Sequence, residues 1–73
     1  MAKVKVCLDT GCTKYILLDD GRTIETPKAK CESKVWNDTD NKKWDTIVAQ
    51  TQEAVKINRP MFQNVKEGDN LDL

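Results

Sequence analysis

Lys14-Tyr15-Ile16-Leu17-Leu18-Asp19-Asp20-Gly21-Arg22-Thr23-Ile24 is the stretch that decides the fold. Residues 14–18 read as a strand that is apolar on both sides. The Asp20-Gly21 pair that follows is among the strongest short-range signals of a β-hairpin. A two-residue loop at 20–21 pairs Asp19 with Arg22, Leu18 with Thr23 and Leu17 with Ile24. Opposed residues share a face. The expectation is therefore Tyr15, Leu17 and Ile24 on one face, with Ile16 and Leu18 on the other.

Upstream, residues 3–8 alternate, with Val4, Val6 and Leu8 on one side and Lys3, Lys5 and Cys7 on the other, the period of a half-buried strand. Asp9-Thr10-Gly11-Cys12-Thr13 is turn chemistry. Downstream, Pro27 marks a strand end. Residues 28–36 alternate again and read as a fourth strand. Trp44, Ile47, Val48, Thr51, Ala54 and Val55 then fall on one helical stripe, predicting an amphipathic helix over roughly 41–57, with Asn37 to Asn41 supplying N-cap residues. Residues 61–66 read as a short final strand. Leu71-Asp72-Leu73 reads as a further short strand or a frayed end. The fold class is α+β: an antiparallel meander of about four strands, one C-terminal helix and a short final strand. The alternative is a small SH3-like or OB-like barrel carrying a helix.

At 73 residues the chain is expected to be one domain, 1–73, with 66–73 as a flexible acidic tail. No run approaches the 18 apolar residues of a membrane helix, and the start of the chain has no secretory pattern. Twelve basic residues balance twelve acidic ones, which argues against a generic polyanion binder. The absence of histidine removes His-dependent triads. Three cysteines without a secretion signal point to a reducing, cytoplasmic setting. Their state stays open: Cys7, Cys12 and Cys31 as free thiols, disulfide-linked or metal-bound. Three ligands are short of a structural zinc set, so no metal and no cofactor is expected.

Leu8-Asp9-Thr10-Gly11-Cys12, preceded by Val4–Cys7, resembles the active-site strand and turn of retroviral-type aspartic proteases. The resemblance covers about eight residues and implies two carboxylates sharing a proton across a dimer. Only three residues precede the strand, and no later segment supplies the family's apolar-apolar-Gly support. Asp-Thr-Gly is equally an ordinary turn, and the turn is the reading adopted here.

Lys3, Lys5, Lys28, Lys30 and Lys34 occupy outward positions of the first and fourth expected strands. With Trp36 they compose a candidate single-stranded nucleic-acid face. Ile16 and Leu18 raise a different question. One helix covers one sheet face, so these two need a barrel wall, a second subunit or a partner to cover them. Trp36, beside a polar loop, is a candidate partner anchor.

The resulting expectation is a small non-enzymatic binding protein with a protein partner, a second copy of itself, or both. Its role is that of regulator, adaptor or phage-type inhibitor of host machinery. The candidate contact residues are Ile16, Leu18 and Trp36. The alternative is a nucleic-acid-binding barrel. No membrane and no small-molecule substrate are expected.

Overall fold

The hairpin forms, but one residue out of the expected register. In the computed structural model, which describes residues 2–72, β1 spans Ala2–Asp9, β2 Thr13–Leu18 and β3 Arg22–Pro27. The β2–β3 turn holds three residues rather than two. The Gly21 amide donates to the Leu18 carbonyl at 3.2 Å, and Gly21 sits at φ +93°. Leu17 consequently faces Thr23, and Ile16 faces Ile24. A one-residue slip moves every side chain of one strand to the other face. Ile24 therefore joins Ile16 and Leu18, not Leu17.

A second irregularity lies in β1. Val4 pairs with Leu18 and Val6 with Leu17, leaving Lys5 as the extra residue of a β-bulge. The bulge splits the expected Val4–Val6–Leu8 face. Val4 and Cys7 turn to the side of Ile16, whereas Val6 and Leu8 turn to the side of Leu17.

Helix α1 spans Asp38–Gln50. It begins three residues before the expected start because Asn37 closes a reciprocal cap. The Asp40 amide donates to Asn37 Oδ1 at 2.9 Å, and the Asn37 amide donates to Asp40 Oδ2 at 3.3 Å. Asn37→Ala is expected to cost about 1 kcal/mol, read as a lowered urea midpoint at constant m-value. The helix also ends seven residues early. Thr51 adopts an extended backbone, and its Oγ1 lies 2.6 Å from Thr23 Oγ1. The Gln52 amide donates to the Gly21 carbonyl at 2.8 Å. The hairpin turn thus captures the chain and draws Glu53–Lys56 into β4, parallel to β3. The helix is the crossover that a parallel pair requires. The sheet order is β4-β3-β2-β1-β5, where β5 is Asn70–Leu71 pairing antiparallel to β1. The class is α+β as expected, but the sheet is mixed, curled and five-stranded rather than an antiparallel meander.

Residues 28–36 are not a strand. The outer edge of β3, where they would pair, is taken by β4. The set expected on one side, Ala29, Cys31, Ser33 and Val35, holds only one large apolar residue, and all four are exposed. Residues 61–66 are not a strand either, because Pro60 opens a 3-10 turn over Pro60–Asn64.

Both sheet faces are covered from within the chain. Leu8, Leu17 and Ile47 form the helix-side core, flanked by Val6, Tyr15, Trp36 and Trp44. Ala2, Val4, Ile16, Leu18 and Ile24 form the other core, closed by Phe62 and Val65, with Ile57 and Leu71 packed beside them. Ile16 and Leu18 are 0% and 1% exposed, so the expectation that they meet a partner is corrected: the C-terminal segment is their cover. Two polar ties hold that segment down. Lys14 Nζ donates to the Gln63 carbonyl at 3.0 Å and to the Val65 carbonyl, and Gln63 Nε2 donates to the Thr26 carbonyl at 2.9 Å. Leu71 is half-buried in this packing and pairs with Ala2 as part of β5. Leu73, the last residue of that stretch, lies outside the described residues.

Candidate partner-binding loop

The turn between β1 and β2 is built by Asp9. Its Oδ1 accepts from the Gly11 amide at 2.8 Å, the local bond that makes Asp a turn former. Thr10 closes the turn, its amide and its hydroxyl both donating to the Thr13 carbonyl at 2.9 Å. Gly11 takes φ +102°, a conformation that suits glycine. Asp9 Oδ2 meets Lys28 Nζ at 3.1 Å. Partial burial pushes the Asp9 carboxyl up, but the Gly11 amide and Lys28 outweigh it and hold it below its ordinary value. Both oxygens of Asp9 are therefore engaged as turn and ion-pair acceptors, which is the turn reading of Asp9-Thr10-Gly11.

The segment that links β3 to α1 is laid across this turn. The Lys28 amide donates to the Cys12 carbonyl at 2.9 Å, and the Glu32 amide to the Gly11 carbonyl at 2.8 Å. Cys12 and Cys31 form a disulfide. Lys34 Nζ donates to the Asp9 carbonyl at 2.5 Å and lies 3.8 Å from Asp40 at the start of the helix. Trp36 then packs edge-on to Trp44 at 5.9 Å, and Trp44 in turn meets Tyr15 at 5.2 Å. The loop is stitched at residues 28, 31, 32 and 34 and again at 36.

Between the last two anchors stands Val35, 95% exposed. A branched apolar side chain is thus displayed on a backbone fixed on both sides. At the other end of the loop, Pro27, Ala29 and Pro60 line a cleft of about 240 Å³, with Lys28, Asn58 and Gln63 at its polar positions. Lys30, exposed between cleft and disulfide, makes no hydrogen bond or ion pair among the described residues. A larger cleft, about 330 Å³, lies between the β2–β3 turn and the end of α1, where Lys5 Nζ donates to Gln50 Oε1 at 2.6 Å.

Comparison with family models, with curated proteins and with solved structures gives no match.

The other expected site residues are not brought together. Lys3 and Lys5 lie toward the start of β1, while Lys28, Lys30 and Lys34 gather at its far end. Six residue steps of strand lead from Lys3 to Asp9, roughly 20 Å at about 3.3 Å per step. Lys28 and Lys34 are also paired with Asp9, Glu32 and Asp40. Trp36 is half-buried against Trp44 rather than free as an anchor.

The disulfide joins Cys12 to Cys31, not to Cys7, although Cys7 and Cys12 flank one turn. It runs against the reducing setting that the cysteine count suggested, since such bonds persist in oxidising surroundings. Cys7 is the free thiol. Burial, its largest influence, pushes it up to about 11, and its Sγ lies 3.7 Å from the Val65 carbonyl. No helix among the described residues is long and apolar enough to cross a membrane.

Proposed function

We propose that this is a non-enzymatic binding module that engages a protein partner through the loop 28–36, with Val35 as its leading contact. Its role is that of a regulator, adaptor or inhibitor. The observation that supports this is the exposure of Val35 on an anchored backbone. A lone exposed valine needs no explanation by itself. This one is flanked by Lys34 and Trp36, both tied down, and follows a disulfide. A loop already ordered before binding loses less conformational freedom on association, so more of its contact energy appears as affinity.

Val48 supplies the internal control, being 61% exposed on the outer face of α1 with no comparable display. The test is site-specific photo-crosslinking in an extract of the cells where the protein acts, with the reactive residue at 35 or at 48. A discrete protein adduct from position 35, absent from position 48, is the expected result. Equal, diffuse labelling from both positions overturns the reading.

A further inference from the structure

We propose that the Cys12–Cys31 disulfide is a redox gate on the partner-binding loop. Closed, it holds Val35 on display; opened by a dithiol reductant, it releases the segment. The inference rests on the reading of that loop as the binding site.

The geometry makes the bond both accessible and local in its effect. Cys12 and Cys31 are both exposed, so an external thiolate reaches either sulfur. Neither belongs to the two cores. Residues 28–37 have no helix or strand of their own. Without the covalent bond the loop keeps two backbone hydrogen bonds, from Lys28 and Glu32, the Lys34 side-chain bond to the Asp9 carbonyl, and the ion pairs of Lys28 and Lys34. These are partly covered pairs, which contribute less than the covalent closure of a loop this long. The disulfide is therefore the dominant tether between β3 and Trp36, and its loss frees a segment while leaving the sheet and helix packed.

The chemistry balances with a dithiol as reductant. One reductant thiolate attacks a sulfur of the pair and forms a mixed disulfide. The second reductant thiolate displaces the protein sulfur. In sum the Cys12–Cys31 bond breaks, both cysteine sulfurs take up a proton, and the reductant gives up two electrons and two protons as it becomes a disulfide. Cys7 takes no part. It packs with the core closed by Phe62, its sulfur directed to the Val65 carbonyl, and burial keeps it a protonated thiol at neutral pH. A protonated thiol does not attack a disulfide.

The test is backbone ¹⁵N relaxation on the wild-type protein, oxidised and then reduced with dithiothreitol, with the residue-35 crosslinking assay run on both forms. The expected result is order parameters near 0.85 throughout when oxidised, falling below about 0.6 for residues 29–35 on reduction, with β2 and α1 unchanged. A loop that holds its binding shape about a tenth of the time loses about tenfold in apparent affinity, so adduct yield falls accordingly. Unchanged order in the reduced loop overturns the gate, as does wholesale unfolding on reduction, which makes the bond a staple instead. Equal adduct yield in both forms also overturns the gate alone. No adduct in either form, with the order change present, overturns the binding reading and removes the gate's purpose with it.

Discussion

Phe62→Ala is expected to cost about 3–5 kcal/mol, the range for removing a buried aromatic side chain. A 73-residue domain has roughly 4–11 kcal/mol in total. The variant should therefore lose between about a quarter and all of that stability. The size of the effect follows from position. Phe62 closes the sheet face on which Val4, Ile16, Leu18 and Ile24 lie, and no helix covers that face. The 3-10 turn that carries it is held by Gln63 on Thr26 and by Lys14 on the carbonyls of Gln63 and Val65. Its neighbour Met61 is 66% exposed, so Met61→Ala should stay within about 0.5 kcal/mol of wild type. Urea unfolding followed by circular dichroism reads both variants. Equal tolerance of the two substitutions would mean that the C-terminal segment is not the cover of that face.

Gly11→Ala carries the second large effect, and it falls on the binding loop. The φ of +102° alone costs a side chain about 1–3 kcal/mol. An added Cβ at Gly11 would also lie 2.3 Å from the Glu32 carbonyl oxygen, a backbone atom that cannot swing aside. The segment 31–34 must lift, straining the bond from the Glu32 amide to the Gly11 carbonyl. Gly68 offers the matched control, with φ +92° and open space where its Cβ would go. Gly68→Ala should show the conformational cost alone. Gly11→Ala should lose more stability than Gly68→Ala, and the Glu32 amide should lose its hydrogen-exchange protection only in the former. Equal losses, with Glu32 still protected, would show that the loop does not depend on lying over Gly11.

The hairpin was legible because Asp20-Gly21 and the apolar run 14–18 are strong local signals. Its register was not, since two- and three-residue turns share those residues and differ by the slip that moves Ile24 to the other face. The bulge at Lys5 left no mark in an alternating pattern that continues through it. Ala54 and Val55 keep the helical spacing, and it is hydrogen bonds to the distant Gly21 and β3 that draw them into a strand. The cover over Ile16 and Leu18 was missed for a similar reason. Phe62 and Val65 sit in a segment with proline and no clear period, so their burial comes from tertiary contacts. The need for a cover was legible in the doubly apolar strand, though its source was not. At the site, Gly11 in a turn and an odd number of cysteines were the available signals. Neither said that Cys12 would choose Cys31 over Cys7, which depends on how the chain returns after Pro27.

The account turns on a separation between what folds the protein and what it offers to others, and Val35→Asp measures that separation directly. Val35 touches neither core, so unfolding by urea should match wild type within about 0.5 kcal/mol. Burying a valine against a partner contributes about 1.5–3 kcal/mol, so association with the protein captured by crosslinking should weaken at least about tenfold. Wild-type stability with lost association is the predicted result. Wild-type stability with unchanged association would contradict it.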